Sequence, residues 1–264
     1  MRPTPCPERP APAGAARAGR RERGFSLAEM IVVIVVTGIL ATVVAVFIQK
    51  PVEGYFDSVR RAELTDIADT ALRRIGRDLR TALPNSVTVT TAGSTYTVSF
   101  TETTGGGRYR AAVTSAGTGD ELDFTAADTS FEVIDPNPAA SVAHSPGSVI
   151  VVGNFGSGTG GSSGYNGLAG NVVNMDSVLF PAESPGRRFH VARGTVAYTC
   201  SPAPVGGTLT RSGTLLASDV TGCAITYESS IAATRTGVVS LWLTLTRGGE
   251  SVSLFHQVHV SNTP

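Results

Sequence analysis

An uncharged apolar segment near the N-terminus constrains this chain more than any other feature. Between Met30 and Ile48 lie 19 residues without a charged side chain, nearly all of them apolar. As a helix the segment rises about 28 Å, at about 1.5 Å per residue, which is close to the roughly 30 Å hydrocarbon core of a bilayer. It therefore predicts a membrane-spanning helix rather than a buried helix of a soluble 27.2 kDa domain.

The residues before this segment are basic and have no apolar period. Residues 1–24 contain five prolines and six arginines against two glutamates. Because basic flanks stay in the cytoplasm, they predict a cytoplasmic N-terminus and an exported, periplasmic remainder. A secretory signal peptide is the alternative, but Gln49-Lys50-Pro51 after the apolar segment makes a poor cleavage site.

Glu29 is the only charged residue between Arg23 and Lys50. A carboxylate that borders hydrocarbon is unfavourable unless it is paired or neutralised. Cleavage after Gly24 would create an α-amine on Phe25 with an ordinary pKa of about 7.7–8.0, and this amine could pair with a glutamate in the apolar zone. The alternative is an acid that only lies at the membrane interface.

The sequence GFSLAEMIV at residues 24–32 resembles the class III leader junction of type IV pilins and pseudopilins. In that family a prepilin peptidase cuts after the glycine and then N-methylates the new terminal residue, usually phenylalanine. The fifth mature residue is a glutamate. The resemblance therefore implies cleavage between Gly24 and Phe25, methylation at Phe25, and pairing of Glu29 with the Phe25 amine of a neighbouring subunit.

Residues 51–83 predict an amphipathic second half of the same helix, so that residues 25–83 form one long helix with a kink at Pro51. Acids interleave with the arginines on the polar face, which favours a solvated or subunit-facing surface over a nucleic-acid patch. Pro84 and Asn85 predict the helix end. The predicted buried stripe comprises Val52, Phe56, Val59, Ile67, Leu72, Ile75, Leu79 and Leu83.

Residues 84–264 predict a β-rich globular domain. Apolar and polar residues alternate in two hairpins, at residues 87–101 and 241–260, and further strands are predicted at 148–152, 194–200 and 223–227. The apolar face of the C-terminal hairpin predicts packing against the helix. The fold class is therefore α+β: a long kinked N-terminal helix on an antiparallel sheet, which is the pilin architecture that the resemblance implies.

Cysteine use predicts a single disulfide. Cys6 leaves with the leader, and Cys200 and Cys223 remain as a pair in an exported domain. Two free thiols are the alternative. Loss of residues 1–24 also removes six arginines and two glutamates, which leaves a net charge of −4 and argues against a nucleic-acid partner.

No cofactor, metal site or catalytic residue is predicted. His256 and His259 are three apart on a predicted strand and point to opposite faces. Asp120, Glu121 and Asp123 do not define a ligand set. The glycine-rich residues 153–170 contain chance GxGxxG and GxSxG matches without a following helix, and they predict a surface loop.

The resemblance implies a non-enzymatic subunit, inserted with its C-terminal domain in the periplasm, that is assembled into a filament or initiates one. Segments around Gly54, Arg77, Arg108 and Phe255 resemble larger minor pilins, both those of MSHA pili and the J- or W-type pseudopilins. The implied partners are a prepilin peptidase, an inner-membrane assembly platform and other pilins. Two alternatives remain: a J-type pseudopilin of a type II secretion system, and a membrane-tethered periplasmic hydrolase that uses Ser162.

Overall fold

The computed structural model describes residues 24–143, 145–156, 160–229 and 236–264, and the predicted leader lies outside them except for Gly24. The chain divides after Tyr55 into two compact units. Helix α1 (Leu27–Leu79) runs through the end of the first unit into the second. The other elements are β1 (Thr88–Ala92), β2 (Thr95–Arg108), β3 (Asp128–Glu132), α2 (Pro138–Ser141), β4 (Val149–Val152), β5 (Gly161–Ala169), β6 (Val172–Val178), β7 (Arg188–Ser201), β8 (Thr208–Arg211), β9 (Thr214–Ser218), β10 (Val220–Ser229), β11 (Thr236–Arg247) and β12 (Glu250–Ser261).

The described part of the first unit is residues 24–55, nearly all of it helix. The helix continues through Pro51, so the proline does not end it. Every described side chain in this unit is exposed.

The second unit, from Phe56 onward, contains two antiparallel sheets. In the described residues, one sheet has nine strands in the order β1-β2-β7-β4-β5-β6-β3, extended by β8 and β9 beside β7, and the other has the order β10-β11-β12. The two predicted hairpins are confirmed, with Ala92 opposite Thr95 in one and Arg247 opposite Glu250 in the other. The α+β class, with a long apolar helix followed by antiparallel sheet, is therefore confirmed.

The main core lies between the second-unit part of α1 and both sheets. Its helix residues are Leu64, Ala68, Ala71, Leu72, Ile75 and Leu79. The prediction for Val52, Phe56 and Val59 was wrong, because all three are exposed. At about 100° per residue they fall outside the stripe that begins at Leu64. The helix itself ends at Leu79, four residues before Leu83.

A second core lies in the part of the nine-stranded sheet that contains the beginning of β7, with Phe189 and Val191, and strands β3 to β6. Its centre is aromatic: the Phe131 and Phe189 rings meet edge to face with centroids 4.9 Å apart, and the buried Tyr109 ring lies 6.4 Å from Phe131. Such pairs contribute beyond the area they bury.

The glycine-rich segment is not simply a loop, contrary to the prediction. Residues 161–169 form strand β5, which pairs with β4 and β6, while residues 157–159 lie outside the described residues. Glycine permits close approach of neighbouring groups here, because a Cβ added at Gly161 would overlap the Phe180 ring and one at Gly164 the Asp176 carboxylate. Pairing on both edges therefore overrides the low strand propensity of glycine.

Candidate functional site: the processing junction and its helix

The predicted cleavage junction lies immediately before the first turn of α1. Gly24 and Phe25 are outside the helix, and the Phe25 side chain is 75% exposed. The bond between them therefore lies in accessible, non-helical chain. Whether it is cut stays a prediction.

Ser26 caps the helix, a role that the sequence analysis missed. Its Oγ accepts a hydrogen bond from the Glu29 backbone N–H at 3.2 Å, and its carbonyl accepts one from Met30 N–H at 3.2 Å. Residues 26–29 read Ser-Leu-Ala-Glu, which matches the capping-box pattern of Ser or Thr followed three residues later by Glu. That pattern is the signal that could have located the helix start. Ser26 is the single residue between the predicted cleavage junction and the first residue of the helix, Leu27.

Glu29 lies in the first turn of α1, where a carboxylate complements the positive end of the helix dipole. The side chain is exposed, and among the described residues no cation lies within 4.0 Å of it. The position therefore leaves the carboxylate available to a cation outside the described residues. The pairing partner predicted for it stays a prediction.

The segment Met30–Ile48 presents an apolar surface around its whole circumference. The large apolar side chains in it are 48–79% exposed. The hydroxyl of Thr37 donates to the Val33 carbonyl at 2.6 Å, and that of Thr42 to the Gly38 carbonyl at 2.8 Å, so these polar groups are satisfied within the helix. In the described residues α1 is the one helix long and apolar enough to span a membrane.

In the second unit, ion pairs and a hydrogen bond connect α1 to the hairpin of β11 and β12. Arg60 donates to the Gly248 carbonyl at 3.0 Å, and Arg61 pairs with Glu250. Glu63 accepts from Arg247 at 2.9 Å. The turn at Gly248 and Gly249 is therefore held on the helix just before its first buried residue.

Farther along α1, Asp78 joins the helix to the nine-stranded sheet. Its Oδ2 accepts hydrogen bonds from the Tyr198 hydroxyl at 2.6 Å and from Arg211 Nε at 2.7 Å. Arg211 also approaches Glu102 at 3.4 Å. Burial and the neighbouring Asp78 carboxylate raise the pKa of Tyr198 to about 12. The tyrosine is therefore a neutral donor at physiological pH.

The two sheets are joined covalently by the predicted disulfide. Cys200 lies in β7 of the large sheet and Cys223 in β10 of the small one, with their Cα atoms 6.6 Å apart. The bridge therefore links the two sheets beside the main core, against which the helix packs.

The GxSxG serine, the two histidines of β12 and the acidic residues near Asp123 show no arrangement of a catalytic or metal site in the described residues. Ser162 is an exposed residue in strand β5, not on the sharp strand-to-helix turn that a GxSxG nucleophile occupies. His256 packs against Gly76 of α1, whereas His259 is exposed on the other face of β12. Asp123 accepts hydrogen bonds from Thr125 and from Ala126, which lower the pKa of its carboxyl, and no metal-ligand cluster occurs among the described residues.

Comparison with protein families identifies the N-terminal region. The model of the prokaryotic N-terminal methylation motif matches residues 19–45, which contain the junction, Glu29 and most of the apolar helix. Comparisons with curated proteins and with solved structures give no match. The motif supports assignment of the chain to the class of type IV pilins and pseudopilins. It implies processing by a prepilin peptidase and assembly with other pilins, and with the apolar helix it fits a single-pass anchor in the inner membrane.

Proposed function

We propose that this chain is a minor structural subunit of a type IV pilus. In this proposal the prepilin peptidase cuts after Gly24 and methylates Phe25, residues 25–50 hold the subunit in the inner membrane, and the second unit lies in the periplasm. An assembly platform then moves the subunit into a short filament or its initiating tip. The work of extrusion comes from another protein, because the chain has no Walker motif.

One observation carries this proposal: the helix that begins within the methylation motif is exposed on all sides from Met30 to Ile48 and contains no charge there. Such a surface is stable in lipid or against other apolar helices, and not in water. A subunit that first resides in a membrane and then joins a helical bundle needs this surface in both places.

The resemblance to MSHA minor pilins of the MshO type supports the narrower proposal that the filament is an MSHA-like pilus. The J-type pseudopilin of a type II secretion system is the alternative within the class. A deletion strain separates the two. Loss of surface filaments with normal enzyme export supports the pilus, and loss of exported enzymes with filaments intact supports the secretion system.

The direct test is the mass of the N-terminal peptide from the protein in its native host. We expect a peptide that begins at Phe25 and carries one added methyl group. An intact leader, or a cut after Ile48, would overturn the filament function and leave a tethered or secreted domain. A Gly24→Leu variant provides the matched control, since it should retain residues 1–23 and the unmethylated Phe25.

A further inference from the structure

Strand β12 forms an open edge of the three-stranded sheet. It pairs with β11 without interruption, from Arg247 opposite Glu250 to Thr236 opposite Ser261, and among the described residues no strand pairs with its other side. In an antiparallel pair, alternate residues of each strand direct their N–H and C=O groups away from the partner. Within the described structure no backbone hydrogen bond outside the β11 ladder reaches residues 250–261. The outward groups of β12 are therefore available to a further strand.

This edge lacks the features that usually block strand addition. Natural edge strands are protected by charged residues, by proline or by bulges. After Glu250, β12 reads SVSLFHQVHVS, without Lys, Arg, Asp, Glu or Pro, and its register with β11 shows no bulge. A regular edge of 12 residues favours the addition of an extended chain, in which backbone hydrogen bonds give affinity and side chains give specificity.

A groove of about 520 Å³ lies beside this edge. Leu241, which lies opposite His256 in β11, is buried in the main core and does not line the groove. The groove therefore lies on the side of β12 that is away from β11. Its lining residues are Asp69, Arg73, Gly76, Arg77, Arg80 and His256.

Helix α1 and strand β12 run side by side in the same direction. Arg61 pairs with Glu250 at the start of β12, and Gly76 lies against His256 and Val258 farther along. From Arg61 to Gly76 the helix rises about 22 Å, and from Glu250 to His256 the strand rises about 20 Å. A strand added beyond β12 would continue the sheet over the polar face of the helix. Its inward side chains would therefore meet that face.

The helix face beside the groove carries positive charge. Arg73 and Arg77 are one turn apart in α1, and Arg80 lies in the turn that follows the helix. Asp69 pairs with Arg73 at 2.6 Å. In the described part of the chain neither Arg77 nor Arg80 has a carboxylate within 4.0 Å, and both are exposed. Two positive charges therefore stand beside the open strand edge, and they favour a carboxylate-bearing partner.

We propose that β12 and this groove bind an extended acidic segment of a partner protein. The segment adds a strand to the sheet at β12 and pairs its inward carboxylates with Arg77 and Arg80. The open edge selects an extended backbone, and the two arginines select acidic side chains. The proposal does not depend on whether the chain joins a pilus or a secretion system.

The test is calorimetric titration of the full chain in detergent micelles with a short blocked peptide in which threonine and glutamate alternate. One comparison peptide has glutamine in place of each glutamate. A second keeps the charges but is N-methylated at two consecutive residues, so that it lacks a donor on each edge. We expect binding of the acidic peptide that weakens as salt rises, and at least about tenfold weaker binding of both comparison peptides. No binding of the acidic peptide, or equal binding of either comparison peptide, would overturn the proposal.

Hydrogen exchange of the complex locates the added strand. We expect the acidic peptide to slow amide exchange in β12 about tenfold or more, because the outward N–H groups gain acceptors. Binding that leaves exchange in β12 unchanged would mean that the arginines hold the peptide as a simple anion. That result would overturn strand addition.

Variants test the part that the arginines play. We expect Arg77→Gln and Arg80→Gln each to weaken binding of the acidic peptide about fivefold or more, because each removes a charge-assisted hydrogen bond. Arg74→Gln is the matched control, since Arg74 is exposed on the same helix but does not line the groove. Equal effects of all three substitutions would show that binding depends on general charge and would overturn the assignment. Circular dichroism checks that the three variants fold.

Discussion

The Asp78 carboxylate, near the C-terminal end of helix α1, accepts a hydrogen bond from the Tyr198 hydroxyl at 2.6 Å. The same oxygen accepts one from Arg211 at 2.7 Å. The helix is thereby joined to two strands of the large sheet through one partly buried atom.

Removal of the Asp78 carboxylate should weaken the domain. For Asp78→Ala we expect a loss of about 2–3 kcal/mol in the free energy of unfolding, because a buried hydroxyl and a guanidinium both lose a charged acceptor. Chemical denaturation of the processed chain in micelles measures it. Asp69→Ala is the control: among the described residues Asp69 pairs only with the neighbouring Arg73 on the helix surface, and its removal should have little effect. Equal effects of the two substitutions would contradict the role of Asp78.

The raised pKa of Tyr198 predicts a loss of stability in alkali. The unfolded tyrosine ionises near its ordinary pKa of about 10, whereas the folded one ionises at about 12. The stabilising contribution is therefore complete below pH 10 and is lost as the pH rises through 12. Between about pH 8 and about pH 11 the wild type should lose more unfolding free energy than Tyr198→Phe. Identical losses would indicate that the tyrosine titrates normally.

The disulfide should contribute strongly to the same domain. Cys200 and Cys223 are separated by 23 positions. On the chain-entropy model, closing such a loop stabilises by about 3 kcal/mol. The double variant Cys200→Ser/Cys223→Ser should show this loss in denaturation experiments, and a reductant should destabilise the wild type by a similar amount. A reductant that still destabilised the double variant would point to an effect other than the bridge.

Gly76 provides a test of how closely α1 approaches β12. A Cβ at this position would lie 2.9 Å from His256 Nε2 and 3.2 Å from Val258 Cγ2. Gly76→Ala gains about 1 kcal/mol of helix propensity, but in the wild type the contact with the imidazole offsets the gain. In a His256→Ala background only the contact with Val258 remains, so a larger part of the gain should appear. A double-mutant cycle on unfolding free energies measures the difference, and strict additivity would mean that the two residues do not touch.

Glu29 tests the assembly mechanism directly. If Glu29 pairs with the Phe25 amine of a neighbouring subunit, as the resemblance implies, its replacement by Ala leaves that amine without a counter-charge in an apolar environment. We expect unchanged cleavage after Gly24 but a fall of about tenfold or more in the amount recovered in sheared filaments. Glu53→Ala, in the same helix but outside the apolar segment, serves as the control and should assemble normally. Normal incorporation of the Glu29 variant would refute the charge pairing.

Several features were predictable because they depend on neighbours in the sequence. The motif at residues 24–32 and the apolar segment Met30–Ile48 are local patterns, and so are the two hairpins, whose strands lie within a few residues of their turns. The helix stripe was predicted less well. Apolar residues three to five positions apart occur on more than one face of this helix, so the sequence does not decide which face is buried. Packing against the sheets buries Leu64 and Ala68 and leaves Phe56 and Val59 exposed.

By itself, the sequence determined the apolar helix of bilayer length and predicted the processing junction, because neither an apolar segment nor a cleavage motif depends on a tertiary contact. Tertiary structure alone decided that glycine-rich residues 161–169 form a strand, since both edges had to find partners. It also brought Asp78 to Tyr198, 120 positions away, and Arg108 to Arg188. Such pairs follow from strand register, which is set by the burial of whole sheet faces rather than by the residues near either partner.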